Sequence, residues 1–479
     1  MKKTLALSLA TILLLSACGT TASEEQSLPA PSPSVEQSTP APSLEQTDEP
    51  TTSIQPAATG SDALFNPSAT MEETVLVDES DVKITATGLK YTAYEVKVSL
   101  TIENNTDQSL SFYAGTLGYC CNSINGYMVD VGYLTADVGP GKKANESVSF
   151  DIDELTMLGI TDIADIEIGF SISDDDYNDY LETGPRQVKT SLADCYDYAT
   201  DTYRQAITDG GMAGQMGITV VCDSEEIPFD QKSVRVLSQT LVENTSGEPV
   251  LLIEVENDAD DMVYASVGHV ALNGLSVESG TWSTDWVSPG KRRVMSIQLD
   301  SLFDESYREI FGMNEISSVS YSFEISDIEY DTLVIPPTIT LTIPGSTAAY
   351  DASGEEVYQE NGIRIISKGI VPDDSYYSDD IHLLFLVENS SPEVLRFDVG
   401  YGSVSVNGYM TSFLCYNRTV VPGGGAVLDV ELQSYSLEEN GITGPEDITE
   451  AELKFEIKNG NYKTVAEPVV TVTGNPAGE

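Results

Sequence analysis

The amino-acid sequence predicts an all-β fold, with three tandem antiparallel β-sandwich modules behind a disordered N-terminal tether. Three observations lead to this prediction. Short segments alternate polar and apolar residues, turn dipeptides separate these segments, and one set of landmarks recurs three times in the same order. The chain of 479 residues has room for about three domains of ordinary size.

The alternation of polar and apolar residues is clearest at 95–102, which reads EVKVSLTI. Alternation places one row of side chains in a core and the other in water, which is typical of a half-buried strand. Roughly seven or eight short strands in about 115 residues are the pattern of an antiparallel β-sandwich. Short helical turns are predicted before the fifth strand, at 153–158 and 302–310.

Six landmarks define the repeat: an opening strand, a strand that ends in Glu-Asn, an Asn-Gly turn, a Pro-Gly turn, a strand with alternating faces and a last strand. Asn-Gly tolerates positive φ and fits a tight hairpin, and Pro-Gly also marks a turn. The opening strand lies at 77–84, 229–236 and 358–365, and the Glu-Asn strand end at 103–104, 256–257 and 388–389. The Asn-Gly turn lies at 125–126, 273–274 and 407–408, and the Pro-Gly turn at 140–141, 289–290 and 422–423. The strand with alternating faces lies at 166–172, 319–325 and 453–457, and the last strand at 187–190, 338–342 and 469–472.

The N-terminus has the pattern of an export signal. Lys2 and Lys3 precede an apolar run at 5–15 that is too short to span a bilayer, and the run ends in LSACG at 15–19. This ending resembles the lipobox of bacterial lipoproteins. The resemblance implies that Cys18 is lipidated, so that the chain is anchored at the outer face of the bacterial cytoplasmic membrane. The alternative is an ordinary secretory signal that happens to contain a cysteine.

The domain prediction follows from the signal and the repeats. It comprises a lipoprotein signal peptide at 1–18, a disordered tether rich in Pro, Ser, Thr and Glu at 19–70, β-sandwich modules at 71–190, 226–345 and 354–474, and linkers at 191–225 and 346–353. The tether has too little apolar surface to offset the entropy of ordering. In the first linker, Ser191 with Asp194 predicts the start of a short helix, and Gly210 with Gly211 predicts its end.

The charge of the chain restricts its partners. There are 77 acidic and 23 basic residues, giving a formal net charge of −54. Such a chain repels phosphate backbones and anionic lipid, so nucleic-acid binding is not expected. The predicted partners are the membrane, through the lipid anchor, and a surface protein, a glycan or a wall polymer. The two histidines, His269 and His382, are assigned to strands as ordinary residues.

The sequence lacks the common signatures of catalysis. It contains no Gly-x-Ser-x-Gly, His-Glu-x-x-His or phosphate-loop sequence, and the Ser-x-x-Lys match at 288–291 lies on a Pro-Gly turn. Acidic clusters at 174–179 and 373–380 offer oxygen ligands, but neither has the spacing of a calcium loop, and solvated acidic loops are the prediction. The chain is therefore predicted to be no enzyme, with no catalytic residues, no cofactor and no metal site.

Cysteine and tryptophan supply the remaining candidates. Cys195 and Cys222 bracket the first linker, where an exported location permits a disulfide, and two unpaired thiols are the alternative. Trp282 and Trp286 occur in module two alone, between its Asn-Gly and Pro-Gly turns. Exposed aromatic side chains there could stack on a sugar or a peptide, whereas a buried position in the core is the alternative for at least one of them.

The Asn-Gly-Tyr-Met segments at 125–128 and 407–410, the Pro-Gly-Lys at 140–142 and the segment at 159–167 resemble the immunoglobulin-like repeats of surface lipoproteins of Gram-positive anaerobes. The resemblance covers 71–474 and implies three tandem immunoglobulin-like sandwiches with no catalytic residues. Module two departs from it, with Leu275-Ser276 in place of Tyr-Met. The predicted function is a non-catalytic cell-surface lipoprotein, acting in interaction or as a spacer. The alternative is a protein that binds carbohydrate or cell-wall polymer.

Overall fold

The structure is a computed structural model that describes residues 65–115, 122–130, 132–276, 283–299, 305–373 and 378–474. The strands of these residues pair antiparallel within each module, which confirms the predicted all-β sandwich fold. The predicted signal with Cys18, the tether up to residue 64, the adjacent cysteines at 120–121 and Trp282 lie outside the described residues. None of the described helices has the length and apolar character needed to cross a membrane.

Module one packs two sheets face to face. Its first sheet has the order β1-β2-β3-β8, and its second has the order β6-β5-β9-β4-β7 with β10 beside β9. The elements are β1 (Thr74–Glu79), β2 (Val82–Tyr91), β3 (Glu95–Asn104), β4 (Leu110–Ala114), β5 (Asn122–Ile124), β6 (Tyr127–Val129), β7 (Leu134–Val138), β8 (Lys142–Asp151), α1 (Ile152–Met157), β9 (Asp165–Asp174) and β10 (Asp179–Lys189).

Module two repeats the arrangement after a helical linker. Its first sheet has the order β11-β13-β14-β18 with β12 beside β13, and its second has β20-β19-β15-β16 with β17 beside β15. The elements are α2 (Thr202–Thr208), α3 (Gly210–Gln215), β11 (Thr219–Ser224), β12 (Phe229–Gln231), β13 (Val234–Glu243), β14 (Pro249–Asn257), β15 (Val263–Leu272), β16 (Leu275–Ser276), β17 (Ser283–Val287), β18 (Lys291–Gln298), α4 (Glu305–Ile310), β19 (Ser318–Ser326) and β20 (Thr338–Thr342).

Module three has the first sheet β21-β22-β23-β29 with β27 beside β29, and the second sheet β26-β25-β30-β24-β28 with β31 and β32 beside β30. The elements are β21 (Glu355–Glu360), β22 (Ile363–Pro372), β23 (Ile381–Asn389), β24 (Leu395–Val399), β25 (Ser405–Val406), β26 (Tyr409–Met410), β27 (Phe413–Cys415), β28 (Arg418–Val420), β29 (Gly425–Leu432), α5 (Ser434–Glu438), β30 (Glu450–Asn459), β31 (Thr464–Ala466) and β32 (Val469–Thr473).

Two predicted boundaries change. The opening landmark is a hairpin rather than one strand, because Ser80 and Asp81 adopt positive φ and turn the chain between β1 and β2. Module one begins earlier than residue 71, because Phe65 and Ala69, assigned to the tether, are buried in its core. Both corrections have the same physical source, since a short turn or a buried pair of residues leaves little trace in polar and apolar periodicity.

The predicted first linker contains two α-helices and a strand rather than one short helix. Ser191 does not cap an α-helix; Asp201 caps α2 instead, and its side chain accepts a hydrogen bond from the Arg204 amide. Gly210 does not end the helical structure, because it is the first residue of α3. The last part of the predicted linker is β11, which belongs to the first sheet of module two.

The two asparagine landmarks have structural roles that recur in every module. In module one, the buried Asn104 side chain donates from Nδ2 to the carbonyls of Gln108 and Val138, and Asn257 and Asn389 repeat this pattern. Asn125 has a φ of 50° and ties its turn to the start of β9, and equivalent contacts are made by Asn273 and Asn407. These residues recur because their side chains satisfy backbone groups at the ends of strands and at turns.

The outer face of the first sheet distinguishes the modules. In β3 of module one, buried and half-buried residues alternate, so this face is polar. In β14 and β23, six and seven consecutive residues are buried. Val250 and Leu252 on β14 pack into the core cluster of module one, and Leu384 and Leu386 on β23 pack into that of module two. The first sheets of modules two and three are therefore covered on both faces.

Candidate functional site

Each junction between modules is formed by the same pair of strands. The short strand after the Asn-Gly turn (β6, β16 or β26) is called here the docking strand, and the strand after the Pro-Gly turn (β8, β18 or β29) the receiving strand. Docking strand β6 pairs in parallel with receiving strand β18, with Tyr127 opposite Arg292. Docking strand β16 pairs in parallel with β29, with Leu275 opposite Gly425.

An equivalent backbone hydrogen bond is present at each of the two junctions. The Arg292 amide donates to the carbonyl of Gly126 at 2.9 Å, and the Gly425 amide donates to the carbonyl of Gly274 at 3.1 Å. Both acceptors are the glycine of an Asn-Gly turn, so this turn aims a carbonyl at the next module. The sheets of neighbouring modules thereby become continuous, which restricts their relative motion more than a flexible linker would.

The junction of modules one and two contains an ionic cluster centred on Arg292. Its guanidinium lies 2.9 Å from a carboxylate oxygen of Asp201, 3.1 Å from one of Glu256 and 3.4 Å from one of Glu254. The Tyr127 hydroxyl, 3.4 Å from the same guanidinium, donates to Asp201 at 3.2 Å. Arg292 thus joins side chains from module one, the linker and module two.

Glu254 is the most buried acid of this cluster, with a side chain that is 0% exposed. Burial, together with the nearby Asp201 charge, raises the pKa of its carboxyl to about 8 against the lowering effect of Arg292. The Ser238 hydroxyl donates to Glu254 at 3.0 Å. The carboxyl therefore keeps its proton around neutral pH.

The protonation of Glu254 makes the stability of this junction depend on pH. A carboxyl whose pKa is raised on folding holds a proton that the unfolded chain has lost, so stability falls as pH rises from about 4.5 to about 8. We expect Glu254→Gln to remove this slope and to be more stable than the wild type at pH 8. Denaturant unfolding at several pH values measures both. An unchanged slope in Glu254→Gln would contradict the assignment.

The two basic residues that flank Arg292 also form ion pairs. Lys291 Nζ lies 2.8 Å from Glu167 of module one, and both side chains are largely buried. Arg293 contacts Asp130 of module one and Asp285 of its own module. Burial raises the pKa of Asp285 to about 6, against the lowering effect of Arg293. Three consecutive basic residues of β18 therefore meet acids at this junction.

The junction of modules two and three is mainly apolar and has a polar group around Asp429. The Tyr307 hydroxyl donates to Asp429 at 2.8 Å, and His382 Nδ1 lies 2.9 Å from the same carboxylate. Burial alone would lower the pKa of His382, but the hydrogen bond to Asp429 and the charge of Asp373 raise it above the usual value. Both histidines lie on strands, as predicted, His269 in β15 and His382 in β23.

The predicted contact residue Trp286 lies on β17 and is half-buried. Its ring is 4.9 Å from that of Tyr264 and 5.8 Å from that of Tyr330, which is 63% exposed. Its predicted companion Trp282 is outside the described residues. Ligand contact at these tryptophans stays a prediction.

The predicted cysteine pair has no bond in the structure: Cys195 is an exposed free thiol and Cys222 a buried one. Cys222 Sγ lies 3.7 Å from the carbonyl of Thr342, and burial raises its pKa.

In the acidic cluster at 174–179, Asp174 accepts hydrogen bonds from Asp176 and Asn178 within a turn. Among the described residues, no group of three or more His, Cys, Asp or Glu side chains is placed to hold a metal ion.

Comparisons with known proteins give no family. No family model and no curated protein matches the chain. Structural neighbours include an ice-binding bacterial adhesin, described in connection with host cell surface retention (12% identity, 80% of this chain and 91% of that chain covered, TM-score 0.14), the BSP domain of a biofilm-associated protein (10%, 86% and 67%, TM-score 0.12) and an exo-chitosanase of Amycolatopsis orientalis (6%, 84% and 78%, TM-score 0.16). Likeness at these TM-scores carries no argument about function.

Sequence reasoning missed the junctions, although two signals for them are present. The strands at 250–255 and 381–387 have too few polar residues for a sheet with one wet face. The Lys-Arg-Arg at 291–293 is a basic run in a strongly acidic chain. Both signals indicate a surface that is in contact with another part of the protein or with a partner. Neither signal indicates which surface lies on the other side of the contact.

Proposed function

We propose that the chain is a non-catalytic lipoprotein of the bacterial cell surface, in which three docked modules act together as an interaction or spacer protein. Lipid on Cys18 would anchor it to the outer face of the cytoplasmic membrane, and the segment 19–70 would hold the modules away from that membrane. The observation that carries the proposal is the docking. Strand pairing and buried ion pairs at the junctions hold neighbouring modules in a fixed arrangement, which supports a protein that presents defined surfaces to partners.

The anchor and the tether can be tested separately in the native cell. Cys18→Ala is expected to abolish labelling by a fatty-acid analogue and to release the protein into the medium. Deletion of residues 20–62 is expected to keep the label but to reduce binding of an antibody against module three on intact cells. Cys195→Ala, which changes an exposed thiol, is the matched control and should alter neither. Acyl label on Cys18→Ala would refute the anchor, and full antibody access after the deletion would refute the spacer role.

A second candidate function is binding of carbohydrate or wall polymer by module two. The observation in its favour is the aromatic cluster of Trp286, Tyr264 and Tyr330, since exposed rings stack on sugar faces. The half-buried position of Trp286 equally suits packing of β17 on β15. Binding of the protein to purified wall polysaccharide, lost in a folded Trp286→Ala variant, would favour this candidate over the first. No binding by the wild-type protein would remove it.

A further inference from the structure

The docking strand of module three has no module on it within the described residues. Tyr127 and Met128 on docking strand β6 are 3% and 4% exposed, whereas Tyr409 and Met410 on docking strand β26 are 56% and 61% exposed. No described backbone amide donates to the carbonyl of Gly408, which has the turn position of Gly126 and Gly274. A surface used at two internal junctions is therefore present a third time in an open state.

The residues of a docking strand match those of its receiving strand. Tyr-Met of module one meets the basic pair Lys291-Arg292, and Leu-Ser of module two meets the glycines at 424–425. Module three has Tyr-Met. Its docking strand should therefore take a receiving strand that begins with two basic residues.

The receiving strand of module one fits this requirement. It begins with Lys142 and Lys143, which are exposed, and β8 is an edge strand with no described partner on its outer side. The pairing register gives Lys142 the place of Lys291, because each lies opposite the asparagine that ends the neighbouring strand. Lys143 forms an ion pair with Glu103 at 2.7 Å, as Arg292 does with Glu256.

The acid that would complete the junction is also present. Glu167, which pairs with Lys291, lies opposite Ser123 in the strand register, and Glu452 lies opposite Ser405 in the same way. At the junction of modules two and three, the corresponding residues are Ser320 and Gly424, and both are neutral. The acidic residue is thus present in modules one and three, whose matching receiving strands β18 and β8 begin with basic residues. It is absent in module two, whose matching receiving strand β29 begins with glycine.

We propose that docking strand β26 of one chain binds receiving strand β8 of a second copy of this chain, so that copies associate head to tail. Glu452 pairs with Lys142 of the neighbouring copy, Tyr409 lies beside Lys143, and the carbonyl of Gly408 accepts from the Lys143 amide. This goes beyond the proposed function, which concerns one copy. The outer face of module one is polar, so the contact is limited to the strand edge and its charges. Such a contact is weak and salt-sensitive, and it needs the high local concentration that a membrane surface provides.

The test uses the full lipidated chain in liposomes at increasing surface density, with unlabelled and nitrogen-15-labelled copies mixed. A carbodiimide, which joins a carboxylate directly to an amine, is expected to link Glu452 of one copy to Lys142 of another, as seen by mass spectrometry. Glu452→Lys or Lys142→Glu alone should lower the linked fraction about fivefold or more. Mixing these two variants should restore a heterodimer, because the Lys142→Glu copy keeps Glu452 and the Glu452→Lys copy keeps Lys142. Its crosslink should join these two native residues, with none between copies of the same variant.

Glu355→Lys, an equal change of charge on the exposed edge strand β21, is the matched control and should leave the linked fraction unchanged. Near-native melting temperatures would establish that both charge-reversed variants are folded, as expected for exposed positions. The proposal is overturned if no intermolecular Glu452 crosslink forms at any density. It is also overturned if folded charge-reversed variants link as well as the wild type.

Discussion

Arg292→Ala is expected to weaken the docking of modules one and two by about 3 kcal/mol, because it removes one partner of a largely buried ionic cluster. Without the guanidinium, Asp201 and Glu256 lose a shared counter-ion and repel each other. The backbone bond from residue 292 to Gly126 is retained in the variant, so the loss reports on the side chain.

Two measurements follow the effect of Arg292→Ala. Calorimetry should show the unfolding of module one separating from that of module two, and protease should cut faster within 191–225. Arg396→Ala removes an arginine that stacks on Tyr462 in module three, and it is the control for loss of one positive charge. A change below about 0.5 kcal/mol in Arg292→Ala, equal to that of the control, would show that the Arg292 side chain contributes little to the junction.

Leu384→Ser is expected to cost about 3 kcal/mol, because it replaces a fully buried leucine at the junction of modules two and three. Ser99, Leu252 and Leu384 occupy one repeat position, each five residues before the asparagine that ends its strand. Leu384→Ser therefore places in module three the residue that module one has naturally. The inner face of β23 keeps Leu383 and Phe385, so module three retains its own core.

The same position supplies its own control. Ser99→Leu puts a leucine on the polar outer face of module one, where no module packs among the described residues, and should change stability by less than about 0.5 kcal/mol. Leu252→Ser should behave like Leu384→Ser at the other junction. Denaturant unfolding of the three variants measures the costs. Equal small effects in all three would mean that the outer faces contribute nothing to docking.

The fold could be predicted from the sequence because its signals are local and repeated. The alternation in β3, the Asn-Gly turns and the strand-ending asparagines each act within one module, and their recurrence removes ambiguity. The same reasoning placed a helix end at Gly210, where the chain starts a helix. There the contacts of α3 with β11 and the core outweigh the low helix propensity of glycine.

The junctions could not be predicted in the same way. Parallel pairing of Tyr127 with Arg292 joins residues far apart in the sequence, and no local pattern gives that register. Trp286 became a candidate because it has no counterpart in the other two modules. The junctions are instead formed by positions that recur in every module but carry different residues in each. Comparison of Ser99 with Leu252 and Leu384 would have revealed which faces are covered.

The polar outer face of module one has a consequence for the order in which the chain folds. A chain is made from its N-terminus, so module one emerges first, and domains fold as units in that order. The outer face of the first sheet of module one is already suited to water, so this face needs no covering module. The apolar faces of β14 and β23 emerge only after the surface that covers each has formed. The direction of synthesis thus limits the time for which an aggregation-prone surface meets solvent, and reversing the order of the modules would remove that protection.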